Sequence, residues 1–500
     1  MSLKVQNENK IDGISSLINK LFYSSGLYAI SKLINIIFSF ISFSLIARNF
    51  SPDQFGRLDF LLTSIIFLVN LSIFGQDQAL GRLINDPIDN SRKEKLALNG
   101  FLSQLIVSIV LCICLYLIAI YIFIPLGIPF IKDLGKRGFL IFISQIPFFV
   151  IINAGLGLLQ WSSKRNYYAI LSSISTILPA ILLALFLPYR TLSITEVLSI
   201  FLVARILLSL LTINFCSKTR LIVINSKFDI DLIKNILFFS TPLGLVVCIE
   251  TVSPIIQRVL ISNYLDDLSL GLFALAYKIS SVSLIIGSSF TSAWGPLYLK
   301  FYKKSNSSEV FIFVLKIIIL FSSILTIILS LYSYNFINIL ANESYERSAL
   351  LILPIAFGLS LELVNDVTGA GLFIRKKNYY YTLSYIIFIL TFCSSFLVML
   401  PLLDFIAIGY SFLFASIFRF LFITYSSNRF YFIKWPTLQI FIFFLLTYSF
   451  SFFFTYVYIV DNIWLKNLIL LSISSLFLII FAFSMTKVEV KAFKQIISIK

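Results

Sequence analysis

The sequence predicts an all-α polytopic membrane protein with about fourteen transmembrane helices. Of its 500 residues, 59% are hydrophobic and only 12% are charged, with a mean hydropathy of +0.97. The apolar residues arrive in runs of about 20 or more, the length that carries a helix across the hydrocarbon layer. Lysine and arginine fall in short clusters between those runs, as they do in loops on the cytoplasmic face. The formal charge of +16 therefore reads as membrane topology, and nucleic acid is not an expected partner.

In chain order the expected spans are 21–47, 58–75, 97–122, 138–160, 167–187, 194–215, 235–260, 272–296, 310–333, 348–373, 380–402, 405–425, 437–460 and 464–485. The first is the most informative. Ser24, Tyr28, Ser31, Lys32, Asn35, Ser39 and Ser42 recur every three or four residues, which places them on one side of a helix. Such a stripe, with a lysine inside it, needs water or protein opposite. Leu21–Ala47 is too long for a signal-peptide core and reads as a retained span.

Fourteen crossings put both termini on the same side. With the N-terminus inside, the cytoplasmic segments carry 25 Lys and Arg and the opposite side carries 9, which orients the chain with both termini in the cytoplasm. No loop exceeds roughly twenty residues, so neither face has room for a soluble domain. The longest central polar interruption, Ser217–Lys234, separates six spans from the eight that follow. The two sides echo each other. Arg48–Leu58 (RNFSPDQFGRL) follows span one and Ser262–Phe273 (SNYLDDLSLGLF) follows span seven, each with an acidic turn and then a glycine, Gly56 or Gly271. Similarly placed segments in two halves point to a transporter repeat.

Several chemistries are excluded. Histidine is absent, which removes imidazole bases and ligands. The cysteines Cys112, Cys114, Cys216, Cys248 and Cys393 lie in or beside apolar runs without metal spacing and read as small core residues. No phosphate-loop, zinc-protease or nucleophile-elbow motif occurs, so ATP-driven or hydrolytic chemistry by this chain is not expected.

The stretches ARNFSPDQFGRLDF and FGQDQALGRLI near the start, then SAWGPL (Ser292–Leu297), FINILANESYERSALLIL (Phe336–Leu353) and PLLDFIAIGY (Pro401–Tyr410), resemble the polysaccharide flippases. These are the O-antigen and capsule exporters of the multidrug/oligosaccharidyl-lipid/polysaccharide superfamily. The resemblance implies two pseudo-symmetric six-helix bundles around a central cavity, plus two C-terminal helices. On that pattern, 1–216 forms the first bundle, 217–234 a cytoplasmic linker, 235–430 the second bundle, and 431–500 two further helices with a basic tail. The implied cargo is an oligosaccharide on a polyprenyl pyrophosphate, moved from the inner to the outer leaflet of the inner membrane. The implied partners are that lipid-linked oligosaccharide, the membrane lipids and other membrane proteins of polysaccharide assembly.

Ionisable residues within the spans fit such a cargo: Lys32, Arg205, Glu250, Lys278, Lys316, Glu362, Asp366 and Arg419. Each costs about 2.5–3.5 kcal/mol at the bilayer centre, so eight facing lipid would cost about 20–28 kcal/mol. They are expected to face protein or water. Lys32 and Lys278, with Arg419 and Arg205, are candidates for the pyrophosphate, because fixed positive charge acts strongly on an anion in a low-dielectric site. The competing reading is a structural pairing of each with a nearby carboxylate. Lys316, near a span end, can snorkel. Glu250, Glu362 and Asp366 are candidates for ion coupling. Without histidine, a proton must be carried by a buried carboxylate, and Glu362 and Asp366 lie one turn apart and can share one. Sodium is the alternative coupling ion, and no cofactor is expected. Arg48, Asp53 and Arg57 form an outer bend able to gate an exit, or a solvated loop. Pro147, Pro179, Pro242, Pro254 and Pro354 interrupt apolar runs and favour bent helices.

The rival readings are a cation-coupled multidrug exporter of the same superfamily, a membrane glycan polymerase or ligase, and a scaffold. A drug exporter calls for acidic residues, whereas the in-span charges are five basic against three acidic.

Overall fold

A computed structural model describes residues 30–85, 90–123, 129–162, 164–187, 192–221, 229–284, 294, 302, 307–457 and 462–484. Parts of these expectations lie outside them: the first turns of span one, residues 222–228 of the 217–234 linker, the end of span eight with most of SAWGPL, the last residues of spans 437–460 and 464–485, and the basic tail. Among the described residues the regular structure is entirely helical. The α-helices are α1 (Ile30–Asn49), α2 (Pro52–Ile73), α3 (Gln76–Asn85), α4 (Asn90–Ile118), α5 (Pro129–Trp161), α6 (Arg165–Phe186), α7 (Ile194–Lys218), α8 (Ile230–Tyr264), α9 (Asp267–Ser280), α10 (Ser307–Leu331), α11 (Ser333–Leu340), α12 (Ala349–Thr368), α13 (Ala370–Ile374), α14 (Tyr379–Leu403), α15 (Ala407–Phe430), α16 (Thr437–Phe452) and α17 (Ile463–Ser484).

Thirteen helical stretches among the described residues are long and apolar enough to cross a membrane. One of them, Tyr379–Phe430, is 52 residues long and as a straight helix would reach about 78 Å, far beyond a hydrocarbon layer of about 30 Å. It is divided at Asp404, where φ is 47° and ψ is −130°, a geometry no α-helix continues through. A short 3-10 turn, Asp404–Ile406, then leads into α15. Counted as two crossings, this stretch brings the total to the fourteen expected.

Local chemistry sets the helix ends. The Ser193 hydroxyl accepts from the Glu196 amide while the Glu196 carboxylate accepts from the Ser193 amide at 2.8 Å, a reciprocal cap that satisfies two otherwise orphaned donors at the start of α7. Asp266 caps α9 by accepting from the Ser269 amide at 2.7 Å, and Asp229 does the same for the first turn of α8.

The chain divides into two compact units, one of Met1–Asn49 with Leu61–Thr251, the other of Phe50–Phe60 with Val252–Lys500. The division falls inside α8. In the first unit the core joins α3, α4, α5, α6, α7 and α8 through residues such as Leu80, Phe101, Leu158, Leu171, Cys216 and Ile236. In the second, α12 is buried on nearly every side, as expected of a helix apolar all round. Its neighbour α14 shows the opposite pattern. Only Ser384, Phe388, Phe392 and Phe396 are buried, one stripe at a spacing of four, while Leu390, Val398 and Leu402 stay exposed, a surface fit for lipid. The last two helices join this unit's core. Ile440 and Phe443 of α16 and Ile473 and Phe477 of α17 pack with Phe311, Leu315 and Ile319 of α10. Of the cysteines, which are all free, only Cys216 is fully buried and Cys114 is exposed. The core reading therefore holds for Cys216 and fails for Cys114, whose helix turns it outward.

Candidate functional site

In the first unit, the polar stripe of α1 meets protein at Asn35. Its amide hydrogen-bonds with Ser172 at 2.7 Å and Thr176 at 2.9 Å, both on α6. Ser31 is buried and Lys32 beside it is half-buried. Among the described residues Lys32 makes no hydrogen bond or ion pair. Arg205, half-buried on α7, donates to the Gln145 side-chain oxygen on α5 and stacks 4.4 Å from the Phe149 ring centre. An amide dipole and a π-face solvate a guanidinium without cancelling its charge. Arg205 has no carboxylate within ion-pair distance among the described residues. Glu250, on α8, is exposed.

A second polar region of this unit lies where α3 begins. Gln76 is fully buried and its oxygen accepts from Ser103 at 2.5 Å. Asp77 follows in the first helical turn, where the helix dipole favours a carboxylate. Burial nonetheless raises the Asp77 carboxyl above its ordinary value, against the pull of the Gln78 and Asp77 backbone amides. Both residues lie in the stretch FGQDQALGRLI that resembles the family, although neither was singled out as a site residue.

The second unit pairs its two buried arginines with carboxylates. Arg419, buried on α15, forms an ion pair with Glu362 of α12. It lies 3.7 Å from the Tyr385 ring centre and 5.9 Å from that of Tyr381, and donates to the Ser384 hydroxyl at 3.2 Å. The Tyr381 hydroxyl in turn donates to Asp366 at 3.4 Å. Arg419, expected at the pyrophosphate, thus shares one cluster with Glu362 and Asp366, expected to carry the coupling ion. A second buried arginine, Arg258 of α8, donates to Asp59 of α2 at 2.7 Å and to the Pro254 carbonyl at 3.1 Å. Lys278 sits half-buried on the largely buried helix α9. Asp59, Gln145, Tyr381 and Tyr385 were not singled out from the sequence. Asp59 carried a signal, an acid inside span 58–75, but the others are ordinary until a partner appears.

The bend after α1 is a tight structure and not a loose loop. Within the second unit Arg57 donates to Asp267 at 2.7 Å, and Ser262 donates to the other Asp267 oxygen at 2.7 Å. Asp53 is half-buried in the first turn of α2. The fully buried Tyr345 donates its hydroxyl to the Phe50 carbonyl at 3.1 Å. Gly56 and Gly271, matched by the repeat, lie against each other: a side chain at Gly271 would run into the Pro52 carbonyl, and one at Gly56 would meet the backbone of Asp267 and Gly271. Arg48, at the end of α1, is exposed.

Against known proteins, residues 22–301 match the sequence model of a family described as "Polysaccharide biosynthesis protein". No curated protein matches the sequence. Among solved structures, the fold is similar to that of the lipid II flippase MurJ in an inward closed conformation, at 17% identity and a TM-score of 0.70. That match covers 92% of this chain and 98% of that one. It is also similar to an inward-facing multidrug resistance MATE transporter of the MOP superfamily, at 14% identity and a TM-score of 0.64, covering 80% and 97%. A third similar structure, a MOP transporter from Pyrococcus furiosus described as having a binding pocket of reverse polarity that suggests a different function, matches at 14% identity and a TM-score of 0.60, covering 81% and 96%.

Proposed function

Since the chain belongs to the polysaccharide biosynthesis protein family and has the MOP transporter fold, we propose that it is a flippase for lipid-linked oligosaccharide. It moves polyprenyl-pyrophosphate-linked units from the cytoplasmic to the outer leaflet of the inner membrane, as a transporter without catalytic chemistry of its own. Both termini are cytoplasmic, and the cycle is an ion-coupled alternation of access between the two sides.

One observation carries this reading. The buried arginines of the second unit, Arg258 and Arg419, are matched by carboxylates, whereas Lys32 and Arg205 of the first unit have none among the described residues. An uncompensated cation inside a membrane is costly unless something anionic visits it, and a pyrophosphate is such a visitor. The reversed pocket polarity described for a superfamily member makes the sign of charge the natural criterion between cargo classes. Surplus positive charge supports an anionic cargo over a cationic drug.

The coupling role falls to Glu362. A proton on its carboxylate removes the partner of Arg419 and leaves that arginine's charge to an incoming anion, so proton and cargo binding are linked. Asp366 and Glu250 remain candidates to carry the proton or a sodium ion, and Lys278 a candidate to assist at the pyrophosphate.

The test is surface glycan in a host lacking its own flippase. Lys32→Ala and Arg205→Ala abolish glycan export while the protein still reaches the membrane. Normal export by both variants would remove the pyrophosphate claim. Dye sensitivity relieved by the wild-type chain would favour the drug-exporter reading instead.

A further inference from the structure

Arg205, Arg258 and Arg419, all within spans, are held by the same two parts: a side-chain acceptor and an aromatic ring. Arg258 donates to Asp59 at 2.7 Å, with the Phe273 ring centre 5.7 Å away. Arg419 donates to Glu362, with the Tyr385 ring centre 3.7 Å away. Arg205 donates to the Gln145 oxygen, with the Phe149 ring centre 4.4 Å away. The rings are alike in kind, but the acceptors are not. In the first unit an amide stands where the second unit has carboxylates.

For stability alone the carboxylate is the better partner, since opposite charges attract strongly in a low-dielectric setting. Glutamine has the length of glutamate and offers the same acceptor without the charge. Gln145 is fully buried, and its nitrogen donates to the Ile141 carbonyl one turn back at 3.3 Å, which leaves its oxygen for Arg205. Gln145 and Phe149 lie four residues apart on α5, so one helix face supplies both the acceptor and the ring. On α7, Ala204, Leu208 and Ser209 are buried while Val203 and Leu207 are exposed. Arg205 belongs to the buried side, so its residual exposure opens away from the lipid-facing residues. The guanidinium is thus aimed by a neutral group, on the side of the helix turned from lipid.

We propose that Gln145 sets the cargo specificity of the first unit: its uncharged oxygen holds the Arg205 guanidinium while leaving that charge to a pyrophosphate. The inference rests on the reading of the cargo as a lipid-linked pyrophosphate and adds a specificity-determining residue that touches no cargo itself. A carboxylate at the same position would close the site. The resident anion would sit on the guanidinium at contact distance, and the cargo would have to displace it.

The experiment uses the full chain in phosphatidylcholine nanodiscs and measures binding of radiolabelled farnesyl pyrophosphate, with farnesol as competitor. The wild type should bind it saturably, and farnesol should not compete. Gln145→Glu should weaken binding tenfold or more. Gln145→Leu should stay within about threefold of the wild type, because it leaves the Arg205 charge unmatched. A purely structural glutamine gives the reverse order, since glutamate keeps the length and the acceptor and leucine loses the acceptor. No binding by the wild type, wild-type affinity in Gln145→Glu, or a greater loss in Gln145→Leu than in Gln145→Glu would overturn the inference. If Gln145→Glu yields no folded protein, Gln145→Leu decides alone: binding close to that of the wild type supports the inference, and a tenfold loss overturns it. Translocation by the wild type in proteoliposomes separates the two claims. If the wild type moves the lipid and Gln145→Glu binds and moves it equally well, the inference fails and the flippase reading stands. If Gln145→Glu alone loses farnesyl pyrophosphate while the wild type moves no lipid, the flippase reading fails and the role of Gln145 at an anion site stands.

Discussion

At the scale of single residues, the two units treat buried charge differently, and mutation separates the cases. Arg419→Leu leaves the part-buried Glu362 carboxylate without the guanidinium, and breaking a buried pair in this way costs about 3–5 kcal/mol. Replacing both Glu362 and Arg419 with leucine should recover most of that loss, since neither charge is then stranded. Thermal melts of the singles and the double, read as a mutant cycle, check this. Arg205→Met should behave otherwise, with an unchanged or higher melting temperature, because it strands no carboxylate. Asp77 gives a pH-dependent case. Its carboxyl is raised by burial, so its contribution favours the fold below the unfolded value of 3.8 and is lost as pH rises through the raised folded value. Asp77→Asn should therefore melt above the wild type at pH 7.5, with the gap closing toward pH 4. The ionisable residues were legible in the sequence as in-span charges, but their pairing was not. Asp59 and Arg258 are 199 positions apart, and only tertiary packing tells a matched arginine from an unmatched one.

At the scale of elements, the spans were legible because hydrophobic length is a strong signal. The expected 194–215 lies within Ile194–Lys218 and 405–425 within the second arm of Tyr379–Phe430. The differences collect at the ends. α8 runs from Ile230 to Tyr264, beyond the apolar 235–260, because a helix continues through polar residues once it leaves the hydrocarbon. The short amphipathic helix α3 was hidden between two spans for the same reason. The echo of Gly56 and Gly271 was visible as sequence, but not that the two glycines touch. Gly271→Ala drives a methyl group into the Pro52 backbone, and overpacking of this kind costs about 1–3 kcal/mol or more. A lower melting temperature and a poorer yield of monodisperse protein are expected. Gly157→Ala, whose added carbon would meet only the Asp77 side chain at 3.8 Å, should melt at or above the wild-type temperature, as alanine is the better helix former.

At the scale of the whole molecule, the account rests on positive charge in the first unit, at Lys32 and Arg205, that no carboxylate among the described residues matches. The direct measurement is translocation in proteoliposomes of a short oligosaccharide on polyprenyl pyrophosphate, scored by how much becomes accessible to an enzyme outside. The wild-type chain should expose the lipid at a rate set by protein content. Lys32→Ala and Arg205→Ala should each lower that rate at least tenfold, and an uncharged polyprenyl alcohol should not compete. Wild-type rates in both variants, or equal competition by the uncharged lipid, would contradict the account.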